Sequence, residues 1–148
     1  MQFYKYQGTG NDFVIIDDRN QTFNLDTQAI AQLCHRRFGI GADGLMLLQE
    51  ADGYDFRMVY FNSDGTEGTM CGNGGRCLVR FAADLGIVKE KAHFIAVDGP
   101  HLAHISHGSI SLQMQDVANI AQQDDDYFTN TGSPHEVRSV PQVQFTDV

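Results

Sequence analysis

The chain has 148 residues, of which 42% are hydrophobic and 20% are charged, a composition typical of one soluble domain or of a domain with part of a second. Its 10 basic residues face 19 acidic residues, and the net charge of −9 repels phosphate backbones and anionic lipid, so we expect neither nucleic acid nor a membrane as its main partner. The first six residues lack the apolar segment of a signal peptide, which predicts a cytoplasmic protein whose three cysteines are reduced thiols.

Strands and glycine-rich loops alternate in the first part of the chain. Runs of aromatic and β-branched residues predict strands at residues 3–6, 13–17, 45–48 and 54–61. Tight polar loops are predicted at residues 7–12 and 39–44, where glycines cluster.

A helix is predicted among these strands, over residues 27–38. Asp26 is its expected N-cap, because a side-chain oxygen there can accept a hydrogen bond from the first turn. Apolar residues recur at helical spacing as far as Phe38, and Gly39 is the expected stop. Cys34 lies on the apolar stripe and is therefore predicted to be a buried, unreactive thiol.

The next segment, residues 68–77, is named the cysteine turn, and it leads into a second predicted helix at about residues 74–85. Further short strands are predicted at residues 93–97, 101–105, 109–115, 136–140 and 143–145. The acidic run at residues 124–126 lies in a polar stretch and indicates a solvated loop. Many short strands with two helices predict an α+β fold.

The cysteine turn reads Gly-Thr-Met-Cys-Gly-Asn-Gly-Gly-Arg-Cys and places Cys71 just before the second helix. The unpaired amides and the positive dipole end of a helix favour a thiolate at that point. The glycines that follow allow a ligand to approach the backbone and supply amides for an anionic group. A thiolate beside an anion site indicates proton abstraction next to a carboxylate, or nucleophilic attack. The alternative is an ordinary turn with a buried cysteine.

Metal chemistry and nucleotide binding fit these residues less well. Cys71 and Cys77 do not have the ligand spacing of a zinc site, and no matching Cys or His pair follows them. Residues 62–67 lack the ligand spacing of a calcium loop, and the chain has no P-loop motif. We therefore predict no metal site.

Five segments of the chain carry a resemblance to a known family. They are Gly8–Phe13, Gly39–Gly44, Phe61–Gly65, Met70–Cys77 and Thr131–His135, the last of them similar to a Gly-Asn-Pro-His motif. In this order and spacing they resemble diaminopimelate epimerase. The resemblance implies an α+β fold in which a mixed, mostly antiparallel sheet wraps around a central helix. It also implies an amino-acid epimerase, an isomerase that uses neither PLP nor any other cofactor.

The resemblance names a reaction and a small-molecule substrate. Members of the family interconvert LL- and meso-diaminopimelate for the synthesis of lysine and peptidoglycan precursors. Two cysteines face the substrate α-carbon from opposite sides, and one removes a proton while the other returns one. Removal of the α-proton leaves a carbanion, and without a cofactor that carbanion must be stabilised by fixed donors and helix ends around the substrate carboxylate. A homodimer is a further implication of the resemblance.

The matching motifs assign roles to individual residues. Cys71 corresponds to the first catalytic cysteine, and His135 to a histidine that tunes the catalytic thiols. Substrate contacts fall on Asn11, Asn62, Gly72, Asn73 and Ser133. Judged alone, each asparagine is more typical of a turn, and the histidine of a surface position. Ser133 stands where many relatives carry Asn, and Gly44 stands where some carry Gln.

The sequence departs from the family in length. The resemblance implies two similar domains in a chain nearly twice as long, with the second catalytic cysteine in a later Cys-Gly-Thr-Gly or Cys-Gly-Ser-Gly motif that these 148 residues do not contain. We therefore expect residues 1–114 to form the first epimerase-like domain and residues 115–148 to begin an incomplete second one. This chain alone is expected to be inactive, and to aggregate or to unfold with poor cooperativity.

Two other functions use the same residues. A thiol hydrolase would pair Cys71 with His135, and it would need a third group to orient the base. A non-catalytic ligand-binding domain, or pseudoenzyme, is the other alternative, because the second cysteine is missing.

Overall fold

The computed structural model describes residues 2–143, which form ten strands and two helices. The strands are β1 (Tyr4–Gly8), β2 (Asn11–Asp17), β3 (Gly44–Gln49), β4 (Phe56–Asn62), β5 (Lys91–Ala96), β6 (Gly99–Ser106), β7 (Ser109–Leu112), β8 (Ile120–Gln123), β9 (Asp126–Asn130) and β10 (Pro134–Arg138). The helices are α1 (Thr27–Cys34) and α2 (Gly72–Asp84). The chain divides after Gln113 into two compact units. The predicted assignment of residues 1–114 and 115–148 to two epimerase-like domains stays a prediction.

The first unit contains one seven-stranded sheet in which the strands follow each other in chain order. The pairs β2–β3 and β4–β5 are parallel, and the other four pairs are antiparallel. Parallel neighbours require a crossover. Here α1 lies between β2 and β3 in the chain, and α2 lies between β4 and β5.

The core lies on both faces of the central strands. On β2, Phe13 and Ile15 join the cluster around α2, while Val14 and Ile16 join the cluster around α1. Strand β3 divides its apolar residues between the two clusters in the same way. This double burial explains why β2 and β3 read as continuous apolar runs. Helix α2 contacts β1, β2, β3 and β7, so the sheet curls around it as the resemblance predicted.

Helix α1 is shorter than the spacing of apolar residues predicts. It ends at Cys34, and His35 adopts an extended backbone, so Gly39 is not its stop. Phe38 was expected on the buried stripe and is instead 77% exposed. The ring Nδ1 of His35 accepts hydrogen bonds from the amides of Arg37 and Phe38, each at 3.1 Å, and this local pairing competes with a further helical turn. Cys34 is buried as predicted, at 2% exposure.

Asp26 caps α1 as predicted, with its side chain accepting a hydrogen bond from the Ala29 amide at 2.8 Å. We expect Asp26→Ala to lower the free energy of unfolding by about 1 kcal/mol, because one amide of the first turn loses its partner. Asp26→Asn keeps an acceptor oxygen and should cost only a few tenths of that amount. Urea unfolding of the three proteins measures the difference, and equal stability of the alanine and asparagine variants would contradict the capping role.

The second unit is a three-stranded antiparallel meander in the order β10–β9–β8. The acidic run at residues 124–126 was predicted to be a solvated loop, and that prediction is wrong in part, because the run joins two strands, β8 and β9, that the sequence analysis did not predict. Asp124 and Asp125 do form a turn, but Asp126 begins β9. Strand β8 reads Ile-Ala-Gln-Gln and β9 reads Asp-Tyr-Phe-Thr-Asn, and neither shows the alternation of apolar and polar residues that predicts a strand. Residues 144 and 145 of the last predicted strand lie outside the described residues.

No helix within residues 2–143 is both long and apolar enough to cross a membrane.

Candidate active site

Cys71 is the N-cap of α2, which begins at Gly72, two residues earlier than predicted. Its Sγ accepts a hydrogen bond from the Gly74 amide at 3.4 Å, and its carbonyl oxygen accepts one from the Gly75 amide at 2.8 Å. The sulfur therefore lies at the positive end of the helix dipole, where a negative charge is stabilised. The catalytic role of Cys71 stays a prediction.

The three thiols differ sharply in their surroundings. Cys71 is half-buried, whereas Cys34 is 2% exposed and Cys77 is 4% exposed. Burial raises the pKa of Cys34, and burial together with the charge of Cys71 raises the pKa of Cys77 to about 11. Because the thiolate is the reactive form, Cys34 and Cys77 are inert at neutral pH and Cys71 is the thiol available for chemistry.

Iodoacetamide should therefore alkylate Cys71 at least ~10 times faster than either of the other two cysteines at neutral pH. Peptide mass spectrometry of the folded chain at short reaction times measures the three rates. Alkylation in urea provides the control, since unfolding exposes all three thiols and should bring their rates together. Labelling of Cys77 as fast as Cys71 in the folded chain would contradict the assignment.

Asn11 faces the sulfur of Cys71. The sequence predicted Asn11 and Asp12 in a loop, but both lie in β2, where Asn11 is the first residue and pairs with Gly8. Its side-chain Oδ1 lies 3.7 Å from Cys71 Sγ, within reach of an S–H donor. Its Nδ2 donates to Asp43 Oδ2 at 2.8 Å. The side chain thus bridges the thiol and a carboxylate.

A network of charged side chains lies beside Asn11 and contacts it through Asp43. Lys5 lies 2.7 Å from Asp12, and Arg36 joins Asp12 to Asp43. The hydrogen bond from Arg36 holds the pKa of Asp12 well below its usual range, and Lys5 adds to that effect against the opposing effect of burial. The hydrogen bond from Asn11 is the main cause that lowers the pKa of Asp43. Both carboxylates are therefore charged at neutral pH.

The other predicted contacts in the first unit lie near the same end of the sheet. Gly72 and Asn73 open α2, where the first amides of a helix have no partner within it and can bind a carboxylate. The Asn73 Oδ1 accepts a hydrogen bond from Arg76. Asn62 ends β4 and pairs with Gly44, which in turn pairs with Phe13 of β2. Its side chain donates to Thr66 Oγ1 at 3.3 Å.

Tyr60 fills the space between two glycines beside this site. A side chain at Gly44 or at Gly68 would overlap the Tyr60 ring, so both positions require glycine as the chain is packed. The ring also contacts Phe13 edge-on, at 6.1 Å between centroids. Burial, followed by the charge of Cys71, raises the pKa of the Tyr60 hydroxyl to about 12, so this group is neutral at neutral pH.

Ser133 and His135 lie in the second unit, Ser133 in the turn between β9 and β10 and His135 as the second residue of β10, where it pairs with Thr129. The ring Nδ1 of His135 lies 2.8 Å from the carbonyl oxygen of Ser133, which can accept a hydrogen bond from it. The same carbonyl accepts a hydrogen bond from the Thr131 amide at 3.0 Å. The catalytic role of His135 and the substrate contact of Ser133 stay predictions.

Among residues 2–143, no three His, Cys, Asp or Glu side chains come together in a group that could hold a metal ion.

The family described as Diaminopimelate epimerase matches residues 3–123 of the chain. The chain belongs to the diaminopimelate epimerase family. The diaminopimelate epimerase of Flavobacterium psychrophilum is 55% identical over an alignment that takes in 100% of this chain and 59% of that protein. The diaminopimelate epimerase of Chlorobaculum tepidum is 42% identical over 95% of this chain and 58% of that protein. The chain thus spans a little over half the length of these two relatives.

Solved structures support the same fold. A probable proline racemase from Agrobacterium radiobacter K84 matches with a TM-score of 0.62 and 11% identity, over 97% of this chain and 53% of that one. A Bacillus anthracis phenazine biosynthesis protein of the PhzF family matches with a TM-score of 0.61 and 17% identity, over 92% of this chain and 55% of that one. The diaminopimelate epimerase-like architecture predicted from the motifs is therefore confirmed.

Sequence reasoning missed three residues beside the site of this epimerase-family chain. Asp43 was treated only as part of a glycine-rich loop, Arg36 as part of a helix, and Tyr60 as one member of an alternating strand. The acidic residue in the segment Gly39–Gly44 was the one available signal, because a carboxylate among glycines has few local partners and must find one elsewhere.

Proposed function

We propose that this chain carries the first catalytic cysteine of a PLP-independent epimerase that interconverts LL- and meso-diaminopimelate. The observation that supports the proposal most directly is the position of Cys71 Sγ, between the Gly74 amide at 3.4 Å and Asn11 Oδ1 at 3.7 Å. The Gly74 amide can donate a hydrogen bond to a thiolate, and Asn11 Oδ1 can accept a hydrogen bond from a thiol. A group that both takes and returns a proton needs both forms.

The proposed reaction needs no redox step. The Cys71 thiolate removes the proton from the substrate α-carbon, and the electron pair of the C–H bond passes into the adjacent carboxylate. The amides of Gly72 and Asn73 at the start of α2 bind that carboxylate and stabilise its added charge. A second acid then returns a proton to the opposite face of the carbon. In the reverse reaction Cys71 is the acid.

The second acid of this proposal is a thiol from the later cysteine motif of the family. Cys34 and Cys77 do not fit that role, since both are buried in the core and burial raises the pKa of each. We place the reaction in the cytoplasm, in the synthesis of lysine and peptidoglycan precursors, with a homodimer as the proposed assembly. Family membership supports these assignments.

The test is exchange of the substrate α-proton in heavy water. The α-proton signal of LL-diaminopimelate is followed by NMR with the complete gene product and with the 148-residue chain. We expect exchange together with formation of the meso isomer for the complete product, and no turnover for this chain alone. Lysine, which lacks the second amino-acid centre, serves as the control substrate and should not exchange.

The two alternatives give different results in the same experiment. Hydrolysis of a thioester or peptide without α-proton exchange would support the thiol hydrolase. Binding of diaminopimelate by the complete product, with neither exchange nor hydrolysis, would support the non-catalytic domain. Either result would overturn the epimerase proposal.

A further inference from the structure

The amide of Asn11 has one orientation that satisfies its neighbours. A charged carboxylate only accepts hydrogen bonds, so the group of Asn11 that faces Asp43 at 2.8 Å must be the amide nitrogen. The carbonyl oxygen is then the group that faces Cys71 Sγ at 3.7 Å. A rotated amide would bring two acceptors together at Asp43 and an N–H donor to the sulfur.

Asp43 is itself held in place from several directions. Its Oδ1 accepts from Arg36 at 2.6 Å, and its Oδ2 accepts from the Asp12 amide at 3.1 Å as well as from Asn11. Its own amide donates to the Asp12 carbonyl oxygen at 2.9 Å. Both carboxylate oxygens of Asp43 therefore have hydrogen-bond donors, and these bonds hold Oδ2 in place as the acceptor for the Asn11 side chain.

We propose that Asp43 is a positioning residue that presents the carbonyl group of Asn11, and not its amide nitrogen, to the thiol of Cys71. The carbonyl oxygen accepts a hydrogen bond from the S–H group of Cys71, an interaction that the thiol makes and the thiolate does not. An N–H donor in the same place would stabilise the thiolate and leave it open to unproductive reaction. The proposal rests on the role of Cys71 as the reacting thiol under the proposed function.

The test measures the rate at which iodoacetamide alkylates Cys71 in the folded chain at pH 7. In Asp43→Asn, residue 43 can donate as well as accept, so the amide of Asn11 is free to rotate and to donate to the sulfur. We expect alkylation to become about fivefold faster, the factor that one ordinary hydrogen bond supplies. An unchanged rate overturns the proposal.

The same substitution in an Asn11→Ala protein distinguishes the positioning role of Asp43 from a direct effect of its negative charge on Cys71. If Asp43 acts through Asn11, then Asp43→Asn should leave the rate unchanged when it is introduced into Asn11→Ala. A charge effect or a structural effect would persist in that background, and a persisting increase overturns the proposal. Thermal unfolding of each variant checks that the fold is kept.

If Asp43→Asn does not fold, the alkylation rate of Cys71 is measured in Arg36→Gln instead. The Arg36 side chain is 59% exposed, and its removal loosens the Asp43 carboxylate while keeping its charge. We expect a smaller increase of the alkylation rate, about twofold, and again none in Asn11→Ala. If Cys71 in the unmodified chain reacts no faster than Cys34 and Cys77, the proposed function fails. If it reacts faster but no Asp43 or Arg36 variant changes its rate, only the role of Asp43 fails.

Discussion

Replacing Cys71 with serine is expected to lower the rate of α-proton exchange by about 10³-fold while the protein stays folded. A serine hydroxyl does not ionise at neutral pH, so the base of the proposed mechanism is lost. The fold should not suffer, because serine is among the preferred N-cap residues and can accept the hydrogen bond that the Gly74 amide now donates to Cys71 Sγ. Replacing the sulfur by oxygen should therefore lower the exchange rate without lowering the free energy of unfolding.

The measurement follows loss of the α-proton signal of diaminopimelate in heavy water, with the full-length protein and its Cys71→Ser variant. Urea unfolding of both proteins verifies that stability is equal or slightly higher in the variant. Cys34→Ala is the matched control, since Cys34 is a buried thiol of the core cluster around α1 and should leave the exchange rate within about twofold. Undiminished exchange in Cys71→Ser would remove Cys71 from the mechanism.

Gly65→Ala should destabilise the chain by about 3 kcal/mol or more, the largest effect on stability that we expect from adding a single methyl group. Gly65 has a φ of +84°, and a methyl group there would overlap the backbone carbonyl of Thr27, the first residue of α1. Neither backbone can move without disturbing a helix end or the turn after β4. That turn carries Asn62, whose carbonyl oxygen accepts from the Gly65 amide at 2.9 Å.

Gly53→Ala is the control for the backbone conformation. Gly53 has a φ of +80°, close to that of Gly65, but nothing lies within 4 Å of an added methyl group. It should therefore cost only the strain of the left-handed conformation, about 1 kcal/mol. Urea unfolding gives both values, and the difference between them measures the overlap with Thr27. Equal costs for the two variants would show that the overlap relaxes freely.

Local features of the sequence were enough to predict much of the first unit. The apolar runs of β2 and β3, the cap at Asp26 and the thiol at the start of α2 each depend on residues within a few positions of one another. The path of the chain after α1 was not predicted, and there Arg36 bonds to Asp12, 24 positions away, and to Asp43. No periodicity over a short window contains that information.

The candidate site divides in the same way. The sequence alone predicted the site residues at the start of α2, which are Cys71, Gly72 and Asn73, because local residues are enough to predict a helix N-terminus. The orientation of Asn11 depends on Asp43, 32 positions further along the chain, and on the parallel pairing of β2 with β3. Strands β8 and β9 escaped prediction because backbone pairing alone defines them, and their side chains leave no pattern of burial.

From β2 onwards, every strand of the seven-stranded sheet pairs with the strand that comes before it in the chain. A chain that leaves the ribosome from its N-terminus therefore brings each new strand to a partner that has already emerged. Helix α2 is made before β7, the far edge of the sheet, although it packs against both β1 and β7. The strands that carry Asn11 and Tyr60, β2 and β4, thus emerge before Cys71, so the partners of this thiol are already made when its helix forms, and only the edge of the sheet at β5 to β7 is added later.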